Sequence, residues 1–234
     1  MMDQTGIDFS TLYANFHQPI AAVDCGQKCA RYNQHGVPFC CDTRHAIPSA
    51  YLIEWGYLQK HTDLWHTWHA LQEDETIRLQ SQTPQGQLLV ECKGYQQCQR
   101  RFRTITCRAF PFFPYITRQG AFTGITYYWE YEDRCWIISH LDQVTCEYVH
   151  DFMAAYEIIF LVYPEEKEAF RYHSGMMRRL YSRQKRAIPV LHRNGSVYKV
   201  SPRDGVKRKV AAQDLPKFGP YRVAAKLHFT DETN

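Results

Sequence analysis

Residues 24 to 42, DCGQKCARYNQHGVPFCCD, hold four of the chain's nine cysteines, two of them adjacent. The spacing runs Cys25, three residues, Cys29, ten residues, Cys40-Cys41, a long gap, Cys92, five residues, Cys98, eight residues, Cys107. Cys135 and Cys146 stand alone. A free cysteine is often only a small buried hydrophobe. That reading suits Cys146, which falls on a predicted amphipathic helix, but core fillers do not recur at loop spacings among Gly, Lys, Gln and Arg. Thiolates are soft ligands that suit zinc and iron-sulfur clusters, and a tetrahedral zinc site or a cubane takes about four of them. The seven clustered cysteines, Cys25 to Cys107, exceed one such site. Successive side chains of an extended segment face opposite ways. Cys40 and Cys41 therefore serve different centres, or a turn bends both toward one, or one of them only packs.

Staples are not needed for folding here. A chain of 234 residues, 44% hydrophobic, can bury a substantial core without covalent help. The start, MMDQTGIDFSTLYANF, carries acidic and polar residues throughout, unlike a signal peptide. The longest apolar stretch, residues 158–163, is six residues, far short of the roughly 20 that span a bilayer. The expectation is a soluble cytoplasmic protein without a membrane span. In that reducing compartment an odd number of clustered cysteines points to metal ligation or redox chemistry before disulfides.

The net charge of +4 is unevenly spread. Residues 1–170 hold 13 Lys and Arg against 20 Asp and Glu, or −7, whereas residues 171–226 hold 15 against 2, or +13. The break in sign predicts a cysteine-cluster metal-binding domain over residues 1–184 and a basic C-terminal extension over residues 185–234. Lys207, Arg208 and Lys209, with Tyr198 and Tyr221 nearby, would suit a nucleic-acid partner or an acidic protein, and could equally dock on the acidic body itself.

Periodicity places a helix from Ile47 to Lys60, opened by Pro48 and continuing or restarting through HTDLWHTWHALQ. QSQTPQGQ reads as a loop and residues 87–91 as a strand. Residues 115–136 are dense in aromatic and β-branched residues, which predicts two or three antiparallel strands with a turn at Gln119-Gly120. Thr145 caps a predicted helix, Pro164 opens another that runs to residue 184, and Asn194-Gly195 between apolar residues marks a hairpin. The expected class is α+β: an irregular, cysteine-ligated, metal-centred domain with several helices and a small antiparallel sheet.

The CxxxC, the CC pair, the C-x5-C and the run TCRAFP at Cys107 together resemble the YkgJ-type cysteine-cluster family over residues 24–114. Cys25, Cys29, Cys40, Cys41, Cys92, Cys98, Cys107, Arg108 and Pro111 carry the match. The resemblance implies a zinc- or iron-chelating domain. Flagellin lysine N-methylases look similar over the same elements, which implies an iron-sulfur cluster and protein methylation. Members of the family commonly carry Arg-Pro before the last cysteine, where this chain reads RFRTITCR without a proline.

The metal candidates are Cys25, Cys29, Cys40, Cys41, Cys92, Cys98 and Cys107, with Cys135 as an eighth that could close a second site; the spacing leaves open which four act together. The cofactor expected is an iron-sulfur cluster or Zn²⁺. Buried thiolate charge is costly unless neighbours offset it. Arg108 is the candidate to hydrogen-bond sulfur, with Arg100, Arg101 and Arg103 close by in sequence. His61, His66 and His69, and the pair Cys146 and His150, are weaker metal candidates that lack a partner at helical spacing. Trp55, Trp65, Trp68, Trp129 and Trp136 read as core. A radical S-adenosylmethionine site would need a cysteine where Tyr32 stands, and no phosphate-binding glycine loop is present. Two functions fit: a metal- or cluster-binding protein with a structural, electron-transfer or metal-handling centre, or an iron-sulfur-dependent protein-modifying enzyme.

Overall fold

The structure is a computed structural model, and it describes residues 6–222. Among the described residues, seven α-helices and two antiparallel sheets make an α+β protein. In chain order the elements are α1 (Phe9–Asn15), α2 (Cys25–Ala30), β1 (Ser49–Tyr51), α3 (Leu52–His61), β2 (Trp65–Thr67), α4 (Glu73–Gln82), β3 (Gln87–Cys92), α5 (Ile105–Ala109), β4 (Phe112–Ile116), β5 (Phe122–Tyr127), α6 (Cys146–Val162), α7 (Pro164–Arg183), β6 (Ile188–His192), β7 (Val197–Val200) and β8 (Lys207–Val210). One sheet is ordered β1-β3-β2 and the other β4-β5-β6-β7-β8.

The larger sheet is covered on both faces, and that explains the continuous apolar run FFPYI of β4. Phe113 and Tyr115 point one way, into a cluster with Met177 and Tyr181 of α7 and with Ile188, Val190 and Val200. Phe112, Ile125, Tyr127 and Leu191 point the other way, into the main core with Tyr148, Phe152, Tyr156 and Ile159 of α6. Alternation along a strand sends successive residues to opposite faces. Both helices begin as expected: the Thr145 hydroxyl accepts the Tyr148 N–H, and Pro164 occupies the first turn of α7 ahead of Glu165 and Glu166.

Two expected helical stretches are strands instead. Residues 49–51 pair with β3, Ala50 opposite Leu88, and α3 starts only after Tyr51, whose N–H is accepted by the Glu54 carboxylate at 3.1 Å. Pro48 thus precedes a strand, and a capping carboxylate three residues into the new helix does the starting. The predicted continuation from His61 to Gln72 breaks at Thr62, and Trp65, His66 and Thr67 pair with β3 opposite Cys92, Glu91 and Val90. Only Trp65 of the three is buried, so His66 and His69 do not share a helical face. The stretch taken for a loop, residues 80–87, begins inside α4, an amphipathic helix with no fully buried residue.

The segment from residue 185 continues the large sheet. β6 pairs with β5 through Gly124 opposite His192, and β6, β7 and β8 follow as a meander. Beyond them Phe218 packs against the main core, and Tyr221 packs with Cys29, Phe39 and Trp136. Residues 223–234, the end of the expected basic extension, lie outside the described residues. No helix among the described residues is long and apolar enough to cross a membrane.

Candidate metal centre

Short, capped elements place the cysteines. The Asp24 carboxylate accepts from the Gly26 N–H at 3.0 Å and the Gln27 N–H at 3.4 Å, which starts α2 at Cys25 and puts Cys29 one turn later on the same face. A Cβ on Gly26 would lie 2.9 Å from Pro38 Cγ, so only glycine lets α2 press against the start of the next turn. That turn, Phe39–Cys41, is a single 3-10 turn carrying both adjacent cysteines. Cys92 ends β3, and Gly94, at φ 102° and ψ 168°, holds a conformation open essentially to glycine as the chain swings toward Cys98. Thr104 caps α5 by accepting the Cys107 N–H at 3.1 Å. Cys135 donates its N–H to the Tyr131 carbonyl at 2.9 Å, and the Tyr131 hydroxyl donates to the His45 carbonyl, tying this loop to the Cys40-Cys41 turn.

Eight of the nine cysteines converge. Cys25, Cys29, Cys40, Cys41, Cys107 and Cys135 line a cavity of about 320 Å³. Cys40, Cys41, Cys92, Cys98 and Cys107 line an adjoining one of about 70 Å³. The thiols that perturb one another sort them further. Cys135 is pushed up by burial and by neighbouring Cys25 and Cys29. Cys40 is raised by its hydrogen bond to Cys41, by burial, and by Cys25 and Cys135 nearby. Cys107 is pushed up to about 12 by burial, against the pull of Arg103, with Cys41, Cys98 and Cys92 adding to the rise. Cys92 is raised by burial and then by Cys41 and Cys98. By these influences Cys25, Cys29, Cys40 and Cys135 fall on one side and Cys41, Cys92, Cys98 and Cys107 on the other, while Cys40, Cys41 and Cys107 line both cavities. They touch where the Cys40 and Cys41 sulfurs stand 3.9 Å apart, and Cys29 also senses Cys41 across the divide. All nine thiols are free. Among the described residues no three Cys, His, Asp or Glu side chains form a group that holds a single metal ion as they stand.

The hydrogen bond to sulfur expected of Arg108 is made by Arg103, whose Nε lies 3.1 Å from Cys98 Sγ and whose charge also faces Cys107 and Cys41. Arg108 spends its donors on carbonyls instead: Nε on Arg103 at 2.9 Å, Nη2 on Arg101 at 2.6 Å, and Nη1 on Phe16 and, at 3.4 Å, on Tyr13. Its guanidinium stacks over the Tyr13 ring at 4.2 Å. It lines the larger cavity but acts as a latch between α1 and the segment that bears Cys98 and Cys107. Arg100 pairs with Asp24 at 3.5 Å, and Arg101 lies over Phe102.

Beneath the latch sits Glu54, a residue not singled out from sequence. It is fully buried and accepts from the Tyr13 hydroxyl at 2.5 Å and from the Ile105 N–H at 2.7 Å. Burial pushes its carboxyl up to about 7, against the pull of these bonds and of Arg108. The folded state therefore holds the proton more tightly than the unfolded chain does. The associated stability is complete below about pH 4.5 and is lost as pH rises through 7, by at most on the order of 3 kcal/mol. Melting temperatures of wild type and Glu54→Gln measured from pH 5 to 8 should diverge in slope, the wild type losing more as pH rises. Parallel curves would show that Glu54 does not titrate in this range.

The remaining candidates separate from the cluster. His61 donates to the Tyr57 carbonyl and stacks on that ring, and His69 bonds the Thr67 hydroxyl. Cys146, expected to pack, is exposed at the start of α6, and His150 bonds the Arg193 carbonyl. Trp65 is buried and donates to the Phe102 carbonyl at 2.7 Å, and Trp129 stacks on His173. Trp68 lines a larger open cleft of about 850 Å³, which reaches Cys40 and Cys107 from the side of α4 and is floored by Phe110, Phe112, Tyr128 and Tyr131. Comparison of the chain with family models, with curated proteins and with solved structures finds no match.

Proposed function

We propose that this chain is a metal-binding protein with two thiolate centres, one held by Cys25, Cys29, Cys40 and Cys135 and the other by Cys41, Cys92, Cys98 and Cys107. The observation that carries the reading is the convergence of eight thiols on two adjoining cavities that meet at the Cys40-Cys41 turn. The donor set is all sulfur, the choice of zinc and of iron-sulfur clusters. The larger cavity, about 320 Å³, leaves room for a multi-iron cluster, whereas the smaller, about 70 Å³, favours no occupant over another, so iron-sulfur clusters and Zn²⁺ both stand as occupants. The Arg103 hydrogen bond to Cys98 would offset thiolate charge and raise the potential of the second centre. Such a pair of centres serves the fold, electron transfer or metal handling. The charge of the segment from residue 171 suits an acidic protein or a nucleic acid as partner.

Anaerobic reconstitution with iron and sulfide, followed by elemental analysis, tests the proposal. Two cluster equivalents per chain with visible absorbance support it. Stoichiometric zinc in the isolated protein would replace the cluster with a structural ion, and a chain that retains neither metal would overturn the reading.

The open cleft that reaches Cys40 and Cys107 favours a second reading, an iron-sulfur-dependent protein-modifying enzyme of the kind the resemblance to flagellin lysine N-methylases implies. Saturable binding of S-adenosylmethionine by the reconstituted protein would support it, and no binding at high concentration would count against it.

A further inference from the structure

The far half of α7 and two neighbouring turns gather arginines away from the cysteine cluster. Arg178, Arg179, Ser182 and Arg183 of that helix, Arg118 of the β4–β5 turn and Arg203 of the β7–β8 turn line one open groove of about 580 Å³. Five of these side chains are guanidinium groups, and no carboxylate, lysine or aromatic ring stands among the lining residues. Among the described residues none of the five makes an ion pair. Arg118 and Arg178 are held in place by single bonds to carbonyls, Nη2 to Pro202 at 3.0 Å and Nη1 to Ile116 at 2.7 Å, which leaves their other nitrogens directed elsewhere. Gly175 marks how tightly the charges meet: a Cβ there would have Arg178 Nη2 at 3.6 Å and Arg179 Nη1 at 3.7 Å. The nearest acid in sequence, Asp204, is exposed and accepts the Val206 N–H at 3.0 Å.

Arginines in the last turns of a helix are ordinarily explained by its dipole. That explanation covers Arg179 and Arg183 but not the delivery of Arg118 and Arg203 to the same concavity from two separate turns. Like charges so placed repel one another, and a bound polyanion removes the repulsion. Guanidinium forks match phosphate and carboxylate oxygens alike. Pro202 alone among the lining residues is apolar, too little to set an acidic peptide in register, and no aromatic ring lines the groove as a platform for unpaired bases, Tyr172 standing outside the lining beneath Arg179. A regular phosphodiester backbone needs neither. The exposed Lys207 and Lys209 of β8, opposite Val200 and Tyr198 on the α7 side of the sheet, add positive charge on that face beyond the turn that bears Arg203, while Arg208 faces the other way.

We infer that the Arg118–Arg178–Arg179–Arg183–Arg203 groove binds the phosphate backbone of duplex nucleic acid without reading its sequence. Fluorescence anisotropy with the metal-loaded full chain and labelled duplexes of two unrelated sequences tests this. Equal affinity for both duplexes is expected, falling steeply with salt. The double change Arg179→Ala/Arg183→Ala should weaken binding about 10-fold and reduce the log–log salt slope by about 2, one for each phosphate contact removed. Both side chains are exposed, so circular dichroism and metal content should be unchanged. Arg179→Lys/Arg183→Lys, which keeps the charge, should retain most of the affinity. The inference is overturned by absent binding at low salt, by binding that the alanine pair leaves intact, by a lysine pair as defective as the alanine pair, or by polyglutamate displacing the duplex at equal charge, which would assign the groove to an acidic peptide.

Discussion

Replacement of Cys107 by serine is expected to empty one centre and leave the other loaded. Cys107 is half-buried beside Arg103 with Cys41, Cys98 and Cys92 as its sulfur neighbours, and a serine hydroxyl is too hard a ligand to take the place of a thiolate there. The protein should lose the metal of the Cys41, Cys92, Cys98 and Cys107 set and melt earlier by several kcal/mol, because structural metal affinity doubles as folding free energy. Cys135→Ser should do the same to the set containing Cys25, Cys29 and Cys40. The pair of variants reads out the division directly. Each should retain the metal that the other loses, as elemental analysis of the two side by side will show. If either change strips all metal, the thiols serve one centre, and if neither alters metal content or melting, both leave the ligand set.

The second large effect is expected at Arg108. Four carbonyls of α1, of its C-cap and of residues 101–103 converge on its guanidinium, and Glu54 lies close behind Tyr13. Arg108→Met fills the space but leaves those buried carbonyls without donors. Leaving buried acceptors unpaired costs about 1–3 kcal/mol each, and a total of about 3–5 kcal/mol lowers the melting temperature of a chain of this length by roughly 10 °C. Metal content at low temperature should stay near that of the wild type, because the sulfur bond belongs to Arg103. Loss of metal without loss of stability would return Arg108 to the role of a sulfur ligand partner, and an unchanged melting curve would remove the latch.

The two long C-terminal helices were legible because their ends are written locally: Thr145 and Pro164 are starts, and acids precede bases along α7. The hairpin at Asn194-Gly195 was legible for the same reason, since β6 and β7 flank the turn that those residues favour. The segment 47–72 was not legible. Its apolar residues recur at helical spacing, yet β1 and β2 exist only because β3, distant in sequence, supplies both with backbone partners. Propensity yields to such tertiary pairing. The cysteine pool was drawn from spacing, and the fold brings Cys135 to the same cavity as Cys25, Cys29 and Cys40. The division of the pool could not be drawn so, because it depends on how a single 3-10 turn aims two neighbouring sulfurs. Glu54 carried one sequence signal, its place three residues after Tyr51 at a helix start, and nothing along the chain ties it to Tyr13 or Ile105. The wall around Cys29 was equally hidden, since it comes from Tyr221.

That wall bears on assembly. Tyr221 packs on Cys29 and Phe39 and donates its hydroxyl to the carbonyl of Arg134 at 3.0 Å, beside Cys135. During synthesis every sulfur of the cluster leaves the ribosome well before this tyrosine does. The packing of Tyr221 on Cys29 and Phe39 therefore closes only after every one of those sulfurs has been translated, so this flank of the cluster is the last to be covered.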